Sequence, residues 1–141
     1  MKILEIKNLS LKSKKNNVVL LNNINLTLNK GETLGIVGES GSGKTLTGLS
    51  VTGLLDSSIF EIISGEVIYG KQNLLACPEE YLRSIRTKKI SMIFQEPMLS
   101  LNPVQTIKKQ LDEVIKLHVT KIKKDIESLS KEIIIKTGLE D

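Results

Sequence analysis

Two kinds of hydrophobic pattern divide this chain. Apolar and polar residues alternate, or form short apolar runs, through the first two thirds of the sequence, which is typical of half-exposed and buried strands. The runs that predict strands are residues 3–11, 18–21, 24–28, 33–37, 64–70 and 90–94, where 18–21 and 24–28 form a second strand interrupted at 22–23. The N-terminal runs predict an antiparallel portion of a β-sheet. The continuous runs at 33–37 and 90–94 predict buried central strands.

Helical spacing takes over elsewhere. Residues 46–55 carry apolar side chains at helical intervals, and residues 78–87 begin with a proline that suits a first helical turn. From Val104 onward, apolar residues recur every three or four positions, which predicts an amphipathic helix pair with a solvated Lys/Glu face. We expect a break near His118, a cap at Thr120 and, at the end, a stop at Gly138.

Composition places the chain among soluble globular domains. It has 141 residues, of which 40% are hydrophobic and 26% charged, which is enough for one domain with a core. The net charge of +4 suits an anionic ligand or the inner face of a membrane, and an aromatic content of 3% argues against nucleic-acid binding. Cys77 is the single cysteine, so no intramolecular disulfide can form.

One stretch of this sequence predicts specific chemistry. Residues 38–45 fit the pattern G-x-x-x-x-G-K-[ST], between a predicted strand and a predicted helix. Glycines let main-chain N–H groups converge on a polyphosphate, and the helix N-terminus adds its positive dipole end. We expect Lys44 to reach the β- and γ-phosphates and Thr45 to bind Mg²⁺. The candidate phosphate-binding residues are Gly38, Glu39, Ser40, Gly41, Ser42, Gly43, Lys44 and Thr45.

The alternatives to this site are weaker. A dinucleotide-binding loop would need a third glycine where Leu46 stands. A small P-loop kinase would need a lid with phosphate-clamping arginines, whereas the chain has only Arg83 and Arg86, neither near a glycine-rich lid.

Beyond the loop, the sequence resembles the ATP-binding subunits of ABC transporters, in the group that imports dipeptides, oligopeptides or nickel. The stretches that carry the resemblance are Gly31–Thr45, Ile68–Gly70 and Met92–Pro103. The resemblance implies an α/β P-loop NTPase domain of ABC type, with a mixed β-sheet. It also implies an ATP-binding core over residues 1–95 and, over residues 96–141, a glutamine loop with the start of a helical subdomain.

The same resemblance implies functional residues and partners. At the position of Gln95 the family has a glutamine that touches Mg²⁺ and the attacking water, so Gln95 is a candidate for both roles. The family often stacks adenine on an aromatic residue near Lys15, but this chain has no aromatic before Phe60, which leaves Lys15 and Val18 as candidate base contacts. The implied ligands are ATP and Mg²⁺. The implied partners are membrane-spanning permease subunits, a second ATP-binding subunit and, indirectly, a solute-binding protein, at the cytoplasmic face of the cell membrane.

Several family motifs do not occur in these residues. The sequence has no Leu-Ser-Gly-Gly-Gln stretch, no strand ending in the Asp–Glu pair and no switch histidine. We therefore expect a truncated, N-terminal portion of the subunit that binds ATP with little or no turnover alone. A non-catalytic nucleotide-binding or docking fragment is the alternative. We also expect poor solubility, because the strand at 33–37 would lack its central neighbours.

Overall fold

The computed structural model describes residues 1–96 and 101–138. The chain forms two compact units, 1–91 and 92–141. In the first unit the elements are β1 (Lys2–Ser13), β2 (Val19–Asn29), α1 (Lys44–Thr52), β3 (Phe60–Tyr69), β4 (Gln72–Asn73) and α2 (Glu79–Ile85); in the second they are α3 (Ile107–His118) and α4 (Lys123–Lys136).

The strands of the first unit form a four-stranded sheet in the order β2-β1-β3-β4, in which every described pair is antiparallel. β1 lies between its two long partners, so both of its edges are paired. The buried core side chains of the sheet are Ile6, Leu9, Leu11, Leu21 and Val67. The predicted antiparallel portion is therefore confirmed, and it supplies the core of this unit.

Gly65 marks an irregularity in the centre of β3. Its φ is +107°, a region that disfavours any residue with a Cβ. A Cβ built there would lie 2.7 Å from the main-chain nitrogen of Leu9 and 2.7 Å from the carbonyl oxygen of Lys7. The pairing of β1 with β3 shifts register in this region, between Lys7 and Ser10. The absence of a side chain at Gly65 thus lets the main chains of β1 and β3 approach each other. β3 begins at Phe60, earlier than the predicted strand at 64–70.

The two predicted central strands are not formed among the described residues. Residues 33–37 pair with no strand, and Leu34, Ile36 and Val37 are 42%, 49% and 93% exposed. Residues 90–94 make only an isolated bridge, between Arg86 and Ile90. An apolar run becomes a strand only when a neighbouring strand takes its main-chain hydrogen bonds. The described residues offer no such neighbour, so both of these strand predictions are wrong for this chain.

The helices follow the sequence pattern more closely. α1 starts at Lys44 and ends at Thr52, where Gly53 adopts φ +64° and caps it. α2 spans Glu79–Ile85, within the predicted range 78–87, but Pro78 lies directly before its first residue and not in its first turn. The predicted interruption of the second strand at residues 22–23 is a local irregularity within β2, with Asn23 at φ +53°.

The second unit contains the predicted helix pair. The break comes at His118. The predicted cap at Thr120 is wrong, because the residue before α4 is Ile122 and no side chain caps the helix. The Thr120 hydroxyl instead accepts a hydrogen bond from the Ile122 amide, 3.2 Å away. Ile115 is buried, and Leu111, Ile126 and Leu129 are half-buried. Other apolar positions of the pattern are exposed, among them Val114, Leu117, Val119, Ile122 and Ile133. The apolar stripe is thus covered over only part of its width. None of the helices in the described part of the chain combines the length and apolar character needed to cross a bilayer.

Candidate functional site

The glycine-rich loop runs from residue 38 to the first residue of α1. Gly41 and Gly43 adopt φ values of +81° and +90°, and Gly43 is the residue directly before the helix. The first turn of α1 contains no acidic residue, and no side chain caps it. The first amides of a helix have no intrahelical partner and lie at the positive end of the helix dipole. This end of α1 is therefore suited to an anion.

Gly43 also fixes the loop against the sheet. A Cβ on Gly43 would overlap the Cδ2 atom of Leu21 and would lie 3.4 Å from the carbonyl oxygen of Leu20. Leu21 is buried in the core of the sheet, at 2% exposure. The start of α1 can pack this closely on β2 only because residue 43 has no side chain.

Lys44 folds back over the loop that precedes it. Its Nζ donates hydrogen bonds to the carbonyl oxygens of Gly38 and Glu39, at 2.8 and 2.6 Å, and to the Ser42 Oγ at 3.2 Å. An ammonium group has three donors, so each of them has an acceptor within the loop. The positive charge is therefore held next to the main-chain segment that the sequence assigns to phosphate binding.

Gly38 makes room for this arrangement. A Cβ on Gly38 would lie 2.8 Å from the Ser42 Oγ. Any side chain at position 38 would thus displace the Ser42 hydroxyl, which is one of the three acceptors of Lys44. The first glycine of the motif and the serine near its end are linked through space as well as through the sequence pattern.

A small pocket of about 140 Å³ opens at the start of α1, lined by Gly41, Ser42, Gly43, Lys44, Thr45 and Leu46. Pockets that enclose a whole drug-sized ligand usually measure roughly 300–1,000 Å³. This pocket can therefore hold a phosphate group but not a whole nucleotide. Thr45 is exposed at its wall, so its hydroxyl can reach a ligand.

The implied magnesium ion fits this donor set only in part. Among the described residues no group of three or more His, Cys, Asp or Glu side chains could hold a metal ion. Mg²⁺ usually keeps several waters and is bound by one or two protein oxygens together with substrate phosphates. The Thr45 hydroxyl can be one such oxygen, so a magnesium ion would arrive with the nucleotide and not at a preformed site.

The two candidate base contacts lie in the turn between β1 and β2. The Ser13 amide donates to the Val18 carbonyl at 2.9 Å, which closes this turn. Lys15 and Val18 are both exposed there, but neither lines the pocket at α1. Their role in binding the base stays a prediction.

Gln95 belongs to the second unit, where it is exposed in a bend. The glycine-rich loop belongs to the first unit, and the role of Gln95 next to the phosphates and Mg²⁺ also stays a prediction. Part of the stretch that carries the family resemblance, residues 97–100, lies outside the described residues.

Sequence reasoning missed one residue that contacts the phosphate-loop helix. Arg86 donates from Nε to the Thr52 carbonyl at 2.9 Å and from Nη2 to the Gly53 carbonyl at 2.8 Å, both at the end of α1. Its Nη1 lies 2.6 Å from Glu79 Oε1, and this hydrogen bond is the main reason why the pKa of Glu79 is lowered. Contacts across more than thirty residues leave no periodic signal in a sequence, so no pattern could have found them.

Comparison with known proteins identifies the group to which this arrangement belongs. The family model described as ABC transporter matches residues 21–141. The oligopeptide transport ATP-binding protein OppD of Haemophilus influenzae is 46% identical over 82% of this chain and 36% of its own length. An uncharacterized ABC transporter ATP-binding protein of Escherichia coli, YejF, is 47% identical over 82% of this chain and 22% of its own length.

Two further comparisons extend over nearly the whole chain. The oligopeptide transport ATP-binding protein AppD of Bacillus subtilis is 39% identical over 96% of this chain and 42% of its own length. The solved structure of a bacterial ABC transporter cassette, described as dimeric, matches with a TM-score of 0.76 over 99% of this chain and 59% of that chain, at 24% identity. The chain therefore spans less than half the length of these curated relatives. The likeness to the solved structure confirms the α/β fold.

Proposed function

Because the chain belongs to the ATP-binding proteins of the ABC transporter family, we propose that it binds the phosphate tail of ATP through residues 38–45 and serves peptide import. The observation that carries the proposal is the position of Lys44, whose ammonium lies on two loop carbonyls beside the uncapped start of α1. Main-chain donors and a fixed cation in one small pocket make a site for a polyphosphate.

Each part of the loop has a distinct task in this proposal. The amides of residues 43–46 donate to phosphate oxygens, and Lys44 neutralises charge on the β- and γ-phosphates. The Thr45 hydroxyl provides one oxygen to the magnesium ion that accompanies the nucleotide, and that ion supplies charge neutralisation when bound. Gln95 is proposed to orient water and to contact the same ion.

We further propose that this chain turns over ATP slowly, or not at all, when it is alone. Hydrolysis requires an oriented water, a metal held by acidic as well as neutral oxygens, and groups that stabilise the transferring phosphoryl. The 141 residues contain Thr45 and Gln95. They contain no Leu-Ser-Gly-Gly-Gln stretch and no apolar strand that ends in an Asp–Glu pair, the features to which the family assigns these roles.

The transported solute is proposed to be a peptide. Both OppD and AppD are described as oligopeptide transport ATP-binding proteins, which favours peptides over nickel complexes for this chain. The proposed partners are permease subunits in the membrane and a second ATP-binding subunit. The proposed location is the cytoplasmic face of the cell membrane, where the chain would be held by its partners.

A binding experiment tests the proposal. Calorimetric titration of the purified chain with ATP and Mg²⁺ should show binding that AMP does not reproduce. Lys44→Ala should weaken ATP binding by at least about tenfold, because a hydrogen bond to a charged group contributes roughly 1.5–3 kcal/mol. Lys30→Ala is the matched control, since Lys30 is exposed in a turn outside the loop and its removal changes the net charge equally.

Two results would contradict the proposal. The first is equal affinity of the Lys44→Ala and Lys30→Ala variants for ATP, which would mean that Lys44 contributes no more to binding than any other positive charge on the chain. The second concerns turnover: phosphate release that depends on Lys44 and is fast in the isolated chain would refute the expected lack of hydrolysis. ATP binding without phosphate release is the result expected of a non-catalytic module.

A further inference from the structure

The helix that begins at the phosphate loop is held at its other end by a residue outside the loop. α1 has nine residues, and no basic residue lies in its last turn. Its last carbonyls form the negative end of the helix dipole, and no cation from the helix itself lies next to them. Arg86 supplies this cation from the segment after α2.

The contact is specific in its geometry. Nε and Nη2 of Arg86 donate to two successive carbonyls, those of Thr52 and Gly53, at 2.9 and 2.8 Å. The planar guanidinium fork offers two parallel donors at a fixed spacing, which a lysine ammonium does not. Gly53 is part of the contact, because a Cβ at this position would lie 3.1 Å from Arg86 Nη2 and 2.9 Å from Leu82 Cδ1.

Glu79 holds the third donor group of the arginine. The Nη1 of Arg86 lies 2.6 Å from Glu79 Oε1, and the Arg86 side chain is 21% exposed. Glu79 also accepts from Arg83 Nε at 3.2 Å, but the Arg83 side chain is 78% exposed. The two arginines thus share one carboxylate, and in the described structure only Arg86 also donates to α1.

We propose that Arg86 is a positioning residue for the phosphate site, which sets the direction of α1 from its C-terminal end; this inference rests on the function proposed above. A nine-residue helix is about 13 Å long, so a tilt of about 5° at one end moves the other end by about 1 Å. A shift of that size changes the hydrogen bonds between amides and phosphates, whose strength falls steeply with distance and angle. Arg86 would not touch the nucleotide.

The test compares ATP affinity in matched variants of the full chain. Arg86→Ala should weaken ATP binding by about tenfold, the equivalent of one or two well-made hydrogen bonds. Arg83→Ala removes an arginine with the same carboxylate partner but no bond to α1, and it should bind ATP within about twofold of the original chain. Arg86→Lys should fall between the two, since it keeps the charge but not the fork.

A stability control separates positioning from general loss of fold. Leu74 is a buried core residue at 2% exposure, in the turn after β4. Leu74→Ala should lower the melting temperature at least as much as Arg86→Ala and yet keep ATP affinity in the folded fraction. Equal weakening of ATP binding by these two variants, or unchanged binding by Arg86→Ala, would overturn the proposal.

A second measurement does not depend on ATP binding. Without nucleotide, the amide chemical shifts of Gly41 and Gly43 report the local geometry of the loop. They should move in Arg86→Ala, and less in Arg86→Lys, but not in Arg83→Ala; unchanged shifts would overturn the inference. If the original chain binds no ATP, the proposed function fails while this readout still decides the role of Arg86. If Arg86→Ala does not fold, Arg86→Lys carries the same comparison.

Discussion

Replacing Gly43 by alanine tests why the phosphate loop has glycine directly before α1. Gly43 has φ +90°, and a Cβ would overlap Leu21 Cδ2. The left-handed backbone region costs a residue with a Cβ roughly 1–2 kcal/mol. Overpacking against a buried side chain typically costs about 1–3 kcal/mol more. Since Leu21 is 2% exposed and has little room to move, we expect Gly43→Ala to lower the free energy of unfolding by about 2–5 kcal/mol.

Gly41 provides the control within the same loop. Its φ is +81°, but a Cβ there would meet no atom within 4 Å. Gly41→Ala should therefore show the backbone cost alone, roughly 1–2 kcal/mol. Both values can be measured by urea denaturation followed by circular dichroism. The comparison requires that the free energy of unfolding falls with urea concentration at the same slope in each variant.

A double-mutant cycle isolates the steric part of the effect. In a Leu21→Ala background the overlapping methyl group is gone, so Gly43→Ala should cost only the backbone contribution, about 1–2 kcal/mol. The resulting coupling energy between the two positions should be roughly 1–3 kcal/mol. Equal costs for Gly43→Ala and Gly41→Ala, or additive effects in the cycle, would refute the argument that Gly43 is required for contact with β2.

Three further predictions concern the support of the site. Gly65→Ala should destabilise the chain by more than about 3 kcal/mol in the same denaturation assay, because its Cβ would clash with main-chain atoms of β1. Gly70 has φ +62° but open space around it, so Gly70→Ala should cost roughly 1–2 kcal/mol. The hydrogen bond from Arg86 lowers the pKa of Glu79 below 4.5, so the stability that this ion pair contributes is complete above pH 4.5 and is lost as the pH falls through the lowered pKa. Glu79→Gln should therefore reduce the fall in melting temperature at acid pH. An unchanged dependence of the melting temperature on pH would contradict the pairing. Asn73 Oδ1 accepts hydrogen bonds from two main-chain amides, at 3.1 and 3.2 Å. Asn73→Ala should therefore lower the free energy of unfolding by about 2–4 kcal/mol, and Asn73→Asp, which keeps an acceptor oxygen, by clearly less. Equal losses for the two variants in chemical denaturation would show that the acceptor oxygen does not contribute to stability.

The sequence could predict the parts of the site that are local. The phosphate loop, the start of α1 and the start of α2 depend on neighbouring residues: the glycines, Lys44 and Pro78 lie within a few positions of the features that they determine. The break at His118 is equally local, since it lies between two amphipathic segments.

The parts that depend on distant residues could not be predicted. An apolar run such as 33–37 has the composition of a buried strand, but its structure is decided by whether another strand takes its hydrogen bonds. The fit of Gly43 on Leu21 and the bonds of Arg86 to the end of α1 join segments more than twenty residues apart. Neither of these contacts changes the periodicity of the sequence, which carries only local information.

The most direct test of the central claim is to follow the backbone amide resonances of the chain during titration with ATP and Mg²⁺. If residues 38–45 bind the phosphate tail, the largest shifts should fall on Gly41, Gly43, Lys44 and Thr45, and tripolyphosphate should reproduce them. In Lys44→Ala the same shifts should require a higher ATP concentration, in line with the weaker binding expected of this variant. Saturable shifts confined to α3 and α4, or no shifts at millimolar ATP, would contradict the claim that this loop is a phosphate site.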